Sequence, residues 1–313
     1  MGDKLAQILT GDARGTAQAA EMLREGRIVA LPTETVYGLA ARADSADAVA
    51  KIYRAKGRPE FNPLIVHVGS LAQAERYARF DARARELARD FWPGSLTMVL
   101  PARSDSPIAP AVTAGLPTIA LRMPAHELTL SLLAVTDLPL AAPSANPSGS
   151  VSPTQVAHVM QGIGTAIDAV LDGGDCRAGL ESTIVALREY DSWEILRPGP
   201  VSAAMLVQVM GSSPRRGGLA IEAPGQLAQH YAPGKPVRLE AVRPEADEYM
   251  IGFGTIEGDC TLSASADLAE AAAQLYACLH LAAASELPRI AVAPIPADGM
   301  GEAIRDRLAR ASA

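Results

Sequence analysis

Lys56 and Arg58 flank Gly57 in Tyr-Arg-Ala-Lys-Gly-Arg-Pro-Glu-Phe-Asn-Pro-Leu-Ile-Val-His-Val (53–68), a cationic glycine turn that runs straight into an apolar strand. Two cations beside a glycine, with Pro59 and Pro63 stiffening the exit, suit phosphate oxygens held at the rim of a sheet. Alone, such a turn is ordinarily solvated surface. A second segment, Ala-Ala-Pro-Ser-Ala-Asn-Pro-Ser-Gly (141–149), follows another apolar run and supplies hydroxyl and amide groups. Cations on one strand end and neutral hydrogen-bonders on another point to a single polyanionic ligand.

Three further groups have chemistry to offer. In Leu-Pro-Thr-Glu-Thr-Val-Tyr-Gly-Leu (31–39), Thr33 and Thr35 either cap the following turn or present a hydroxyl to a small polar ligand, and Glu34 suits either an ion pair or a catalytic role. Thr118, Arg122 and His67 lie at or just beyond apolar strands; the planar fork of Arg122 matches a carboxylate. The glycine-rich stretch 173–185, which contains Glu181, Ser182 and Thr183, precedes Leu-Arg-Pro-Gly (196–199), with Arg197 as a further donor. Glycines near a strand end let the backbone approach a ligand. The chain lacks a P-loop, a Gly-x-Gly-x-x-Gly after its first strand, a Gly-x-Ser-x-Gly elbow and a His-Glu-x-x-His pair. Standard nucleotide, serine-hydrolase and zinc-hydrolase readings lose their support.

These groups must be positioned by alternating elements. Helices are expected over Gly15–Glu25, Ala46–Arg54, 72–90, 126–135, 153–161 and 201–210. Strands are expected over Arg27–Leu31, Leu64–Val68, Thr97–Leu100, Thr118–Leu121, Leu138–Ala142, Ala169–Asp172, Thr183–Leu187 and Glu194–Arg197. The pattern is α/β, with mixed strand order because some connections are too short for crossover helices. Residues 211–236 are rich in Gly, Pro, Ser and Ala and read as a linker or covering loop. Beyond it, strands at Val237–Leu239, Met250–Phe253 and Ile290–Val292 and helices at Leu268–Ala284 and Gly301–Ala311 make a small α/β domain. The expected division is 1–210, 211–236 and 237–313.

With 313 residues, 49% of them hydrophobic, the chain suits one large domain and a smaller one. No apolar run spans a bilayer and no signal core is visible, so a cytoplasmic location is expected. Cys176, Cys260 and Cys278 suggest neither a disulfide framework nor a zinc site and read as buried, inert thiols. A net charge of −7 argues against a surface built to grip nucleic acid. Residues 42–103 nevertheless hold 11 Lys or Arg against 7 Asp or Glu, a local excess of four. This is either a solvated amphipathic helix or a weak tRNA-facing surface.

Seven motifs in order, Pro-Thr-Glu-Thr-Val-Tyr-Gly-Leu (32–39), Lys-Gly-Arg-Pro-x-x-Asn-Pro-Leu-Ile-Val-His (56–67), Trp-Pro-Gly-x-Leu-Thr (92–97), Arg-Met-Pro (122–124), Ala-Pro-Ser-Ala-Asn (142–146), Glu-Ser-Thr-Ile (181–184) and Leu-Arg-Pro-Gly (196–199), resemble the YrdC-type threonylcarbamoyl-AMP synthases. Ala-Pro-Gly (223–225), His-Tyr-Ala-Pro (230–233) and the C-terminal run from Gly299 are similar to the longer, two-domain form. The resemblance implies a large twisted mixed sheet with flanking helices, a linker over the active site and a small α/β C-terminal domain.

By the same resemblance, L-threonine, bicarbonate and ATP give threonylcarbamoyl-adenylate and pyrophosphate, a nucleotidyl transfer. A tRNA-modifying partner complex then moves the threonylcarbamoyl group to the adenosine beside the anticodon. Lys56, Arg58, Ser144 and Asn146 match the family's signature tetrad. Arg58, Asn62, Thr118, Ala142, Ser144, Ser152, Arg197 and Tyr231 are expected at ATP, and Thr35, His67, Arg122 and Ser182 at threonine. Mg2+ is expected with ATP, with no dedicated carboxylate cage. Two positions depart from the family: Gln226-Leu227-Ala228-Gln229 is uncharged where linkers often carry Lys or Arg, and Asp306 stands where Asn is common. Two other readings share the fold: an RNA-binding module without adenylate chemistry, and a carbamoyl transferase of hydrogenase-maturation type.

Overall fold

Helix caps and buried alternation set the elements of the computed structural model, which describes residues 5–215, 222–226 and 230–313. The chain opens with β1 (Gln7–Leu9), α1 (Ala13–Arg24), β2 (Val29–Leu31), β3 (Gly38–Arg42), α2 (Ala46–Lys56) and β4 (Ile65–His67). Next come α3 (Leu71–Ala74), α4 (Ala82–Phe91), β5 (Leu96–Pro101), α5 (Pro110–Thr113), β6 (Thr118–Arg122), α6 (Glu127–Thr136) and β7 (Leu140–Ala141). The first unit ends with α7 (Val156–Ile163), β8 (Ala169–Leu171), β9 (Thr183–Leu187), β10 (Trp193–Arg197) and α8 (Ala203–Met210). A second unit holds β11 (Val237–Arg238), β12 (Glu248–Gly252), β13 (Cys260–Thr261), α9 (Leu268–Ala284), β14 (Arg289–Val292) and α10 (Met300–Ala311).

Ten strands form one mixed sheet in the order β1-β8-β2-β3-β7-β4-β6-β5-β9-β10. Parallel pairs (β4 with β6, β5 with β9) alternate with antiparallel ones (β5 with β6, β4 with β7). The smaller sheet, β11-β14-β12-β13, is entirely parallel. Period-two alternation then divides the central strands. Val66, Met98, Leu121 and Val185 enter the main core on one face. Ile65, Val99, Ala120, Ile184 and Ala186 face the other way, joined by Leu196 and by Ala223 from the connecting segment. That second face carries the candidate site.

α2 shows how local sequence aims the site. Ser45 caps it by accepting from the Ala48 amide, and its apolar stripe Ala48, Val49, Ile52 and Tyr53 is buried. It ends at Gly57 with φ 58°, a left-handed cap that suits glycine. A Cβ there would meet nothing within 4 Å, so the glycine is required by backbone conformation and not by space.

Several expectations need correction. The single helix over 72–90 is two short helices, because 75–81 leaves the helical path: Ala78 bridges Ala102, the Arg79 amide donates to the Pro101 carbonyl, and Asp81 caps α4 through the Ala84 amide. β1, β3, β13 and the short α5 were not anticipated. β3 is Gly-Leu-Ala-Ala-Arg, poor in β-branched residues, yet it is buried between neighbouring strands and helices, and packing overrides propensity. Cys260 and Cys278 are not free thiols; they form a disulfide joining β13 to α9, with Cα atoms 5.9 Å apart. Cys176 is free and buried. Within the linker, 216–221 and 227–229, which include most of the uncharged Gln-Leu-Ala-Gln stretch, lie outside the described residues. Residues 211–215, 222–226 and 230–236 contain no helix or named strand.

Candidate active site

A cavity opens on the second face of the large sheet. Its floor is Ile65, His67 and Arg122, its near wall Gly38 and Ala142 to Ser144, and its far wall Glu181, Ser182 and Arg197. Arg58, Thr33 and Val36 border it, and Pro224, Gly225, His230 and Tyr231 from the connecting segment close it over. β4 and β6 are parallel with His67 opposite Arg122, so both side chains leave the sheet side by side.

The wall is strongly cationic in an acidic chain. Arg58, Arg122 and Arg197 face it against one carboxylate, Glu181. Arg58 donates from Nε to the Asn62 carbonyl at 3.1 Å and from Nη2 to the Pro63 carbonyl at 2.8 Å, which fixes its fork. Burial pulls it down to about 10. Arg197 donates to the Ser182 carbonyl and, from Nη2, to Ser182 Oγ at 3.2 Å. Ser182 Oγ also lies 2.7 Å from Thr97 Oγ1. Burial lowers Arg197 as well. Crowded, desolvated guanidinium groups favour an anion that restores charge balance.

Arg122 is braced from behind. Its Nη2 donates to Glu34 Oε1 at 2.6 Å and its Nε to the Gly94 carbonyl. Glu34 also accepts from Ser95 Oγ and the Ala125 amide, and despite the burial that opposes it, Arg122 holds its carboxyl below the ordinary value. Of the two roles open to Glu34 from the sequence, the ion pair is the one formed here. His67 is buried and neither ring nitrogen has a partner; burial, then Arg122, pushes it down to about 3, so it stays neutral. On the same wall Tyr231 Oη and His230 Nδ1 are also buried and unpartnered, while Asn62 Oδ1 and Asn146 Oδ1 are so away from it. Orphaned polar atoms around one cavity mark places where a ligand completes hydrogen bonds.

Of the residues singled out in the sequence, Arg58, His67, Arg122, Ala142, Ser144, Ser182, Arg197 and Tyr231 meet on the cavity wall. Lys56 does not. Its Nζ donates to the carbonyls of Ser144 and Asn146, each at 2.6 Å, and burial followed by Arg58 holds it well below its usual value. Its geometry ties the end of α2 to the 144–149 loop. Asn146 donates to the Pro147 and Ser150 carbonyls within that loop. Thr33 caps the turn, accepting from the amides of Thr35 and Val36, and bonds Thr35 Oγ1; Thr33 itself, not Thr35, borders the cavity. Ser152 donates to Glu181 Oε1. Thr118 shares the face of Ala120 and Arg122 but sits at the other end of β6, about 13 Å from Arg122 at the usual strand rise. Sequence reasoning gave no role to Glu181, Val36, Pro224, Gly225 or His230, although all five stood inside quoted motifs.

Six arginines of the positive stretch 42–103 are paired, two of them with carboxylates outside it, Asp105 and Asp137, which offset half of its excess of four. Arg42, Arg83, Arg85, Arg89 and Arg103 pair with Asp44, Asp81, Glu75, Asp90 and Asp105, and Arg76 with Asp137. Among the described residues no helix is long and apolar enough to cross a membrane, and no group of three or more His, Cys, Asp or Glu is arranged to hold a metal.

A mixed α/β sheet whose one face presents guanidinium groups, hydroxyls and a neutral imidazole to an enclosed cavity defines a binder of small anionic substrates. The family described as telomere recombination (Sua5, YciO, YrdC) matches residues 21–199, and that described as threonylcarbamoyl-AMP synthase, C-terminal domain, matches 201–313. The threonylcarbamoyl-AMP synthase of Bacillus subtilis is 38% identical, covering 99% of this chain and 96% of its own. That of Pyrococcus abyssi is also 38% identical, covering 94% and 93%. The crystal structure of Pyrococcus abyssi Sua5 complexed with L-threonine superposes with a TM-score of 0.89 at 34% identity, covering 99% of this chain and 98% of that one. The chain belongs to the threonylcarbamoyl-AMP synthase family, in its two-domain form.

Proposed function

We infer that this protein makes L-threonylcarbamoyl-AMP from L-threonine, bicarbonate and ATP with release of pyrophosphate, as a nucleotidyltransferase. The observation that carries this reading is the cavity wall of Arg58, Arg122 and Arg197 around buried, unpartnered polar atoms, in a chain that matches the synthases nearly end to end. The threonine carboxylate pairs with Arg122, and neutral His67 and the Ser182 hydroxyl serve its remaining polar groups. The nucleotide lies along the same sheet face, its phosphates at Arg58 and Arg197 near Asn62, Ala142 and Ser144, with Tyr231 above and Thr118 toward the far end.

The threonine nitrogen bonds to the bicarbonate carbon as the elements of water leave. An oxygen of the resulting carbamate then attacks the α-phosphorus of ATP, and the bond to pyrophosphate breaks. Arg58 and Arg197 neutralise the charge gathering on the leaving group, and alignment supplies the rest. No covalent nucleophile is required; Cys176, the free thiol, is buried and pushed up to about 12. Glu34 and Glu181, the carboxylates nearest the cavity, are both committed to ion pairs. Magnesium therefore arrives with the ATP phosphates as part of the substrate, held by phosphate oxygens and water.

The product is a mixed anhydride whose carbamoyl group is transferred by a tRNA-modifying complex, which sets the work in the cytoplasm. The alternative of an RNA-binding module is disfavoured by the chain's net charge of −7. The test is pyrophosphate release with ATP and magnesium, with threonine and bicarbonate present or omitted in turn. Release that needs both is expected; release needing neither, or none while ATP binds, overturns the reading.

A further inference from the structure

One residue of the second unit holds the far side of the cavity from behind. Arg307, on α10 and fully buried, donates from Nε to Glu181 Oε2 at 2.9 Å and from Nη2 to the Pro198 carbonyl at 2.9 Å. Its guanidinium carbon lies 5.2 Å from the centre of the Tyr231 ring. Asp306 takes up Nη1 at 2.6 Å. Glu181 and Tyr231 line the cavity, and Pro198 follows Arg197, which also lines it; Arg307 itself does not.

The surrounding packing leaves little freedom. A Cβ on Gly179 would stand 2.4 Å from Ala273 Cα and 2.5 Å from the Ala272 carbonyl oxygen, so α9 rests directly on the backbone leading to Glu181. From the same helix, Tyr276 Oη donates to Glu181 Oε2 at 2.8 Å, and Ser152 closes Oε1. The second unit's core continues through Val36, Val151, Leu180 and Tyr231 of the cavity region. A buried ion pair adds little net stability compared with apolar packing, while breaking one side is costly; its well-attested use is to enforce one arrangement.

We propose that Arg307 is a positioning residue of the active site: from the C-terminal unit it sets the Glu181–Ser182 turn and the Tyr231 ring in the arrangement that receives substrate. The second unit thereby contributes to the chemistry without touching the reacting atoms. This deepens the synthase reading and rests on it.

The test compares the full-length protein with Arg307→Lys and with the double variant Glu181→Gln/Arg307→Met. Arg307→Ala would strand a buried carboxylate and misfold for trivial reasons; the double variant removes both charges together, and the lysine keeps the charge without the fork. Both are expected to melt near the wild type. Turnover should fall at least about tenfold in kcat/KM, mainly through higher KM for threonine and ATP, with lysine recovering part of the loss. Amide exchange should quicken at Thr183 and Ala232, which donate to the Ser95 and Gly149 carbonyls, and stay unchanged in α9. A folded double variant with wild-type KM, kcat and exchange overturns the proposal. Wild-type protein that releases no pyrophosphate brings down the synthase reading instead, and the exchange comparison still decides whether Arg307 positions the wall.

Discussion

His67 and Arg122 stand opposite each other in register on β4 and β6, a neutral imidazole with two unpartnered nitrogens beside a guanidinium already anchored to Glu34. The pair offers an amino acid one fixed cation and one group that both donates and accepts. Because Glu34 and the Gly94 carbonyl fix the fork, its remaining Nη1 edge points without rotamer search, which lowers the entropic cost of binding.

Arg122→Lys should therefore act on threonine far more than on ATP. Lysine keeps the charge but cannot bond Glu34 and the Gly94 carbonyl while still reaching the cavity. The expected outcome is a threonine KM raised about tenfold to a hundredfold, with ATP KM changed less than about twofold. Steady-state kinetics varying each substrate checks this, and equal effects on both substrates would contradict the assignment.

Lys56 and Arg58 should separate in the same assay. Lys56→Met removes a cation that holds two loop carbonyls, so it should lower stability by about 1–3 kcal/mol and weaken activity through the displaced 144–149 loop. Arg58→Ala removes a cavity-wall cation and should lower kcat by roughly a hundredfold or more. Denaturant midpoints and turnover on both variants test the contrast: a Lys56 variant as stable as wild type would reassign Lys56 to the chemistry.

This contrast also shows how far the sequence could be read. The apolar runs in Leu-Ile-Val-His and in Thr-Ile-Ala-Leu-Arg were enough to place His67 and Arg122 at strand ends, and the ordered motifs brought most of the cavity wall together. Lys56 was legible as a cation near the site but not as a tie to the Ser144 and Asn146 carbonyls, because a side chain's partner some ninety residues away leaves no local trace. Glu181 and Arg307 were missed as a pair for the same reason, at a sequence separation of 126. The Cys260–Cys278 bridge was missed because three cysteines without a motif carry no pairing signal; only the packing of α9 against β13 brings the two together. β3 was missed because small residues in a doubly covered strand look like a loop.

Acid should weaken the fold before it reaches the carboxylates. His67 and His230 are both pushed down to about 3 by burial, against 6.5 when unfolded. Below pH 6.5 the unfolded chain takes up protons that the folded one refuses, so stability falls with pH until about pH 3, by about 1.4 kcal/mol per unit for each histidine. His158, pushed down to about 4 by burial, adds to the same slope, so denaturant unfolding at pH 7, 6 and 5 should show it and His67→Asn should remove at most about a third of it. A flat profile over that range would mean that none of these imidazoles is held neutral.

The disulfide should matter for stability and not for substrate. Cys260 and Cys278 close a loop with a sequence separation of 18, worth about 3 kcal/mol in the chain-entropy account. Reduction, or Cys260→Ser, should lower the unfolding free energy by that order while KM for threonine and ATP stays put. A change in KM on reduction would show that the bridge reaches the site.

Tyr231→Phe offers the sharpest division between binding and folding. The ring is buried, stacked on Tyr276 at 5.8 Å and covered by Arg307, and phenylalanine preserves all of that. What it removes is a buried hydroxyl without a partner, which costs the empty protein its desolvation. The variant should accordingly be as stable as wild type or more stable by about 1 kcal/mol, since an unmet polar group has gone. If that hydroxyl is completed by the nucleotide, ATP affinity should fall about tenfold, the worth of one hydrogen bond in a dry site. Calorimetric titration with ATP beside a melting curve reads both quantities on one preparation. Lower stability with unchanged ATP affinity would place the hydroxyl in the fold and remove Tyr231 from the nucleotide site.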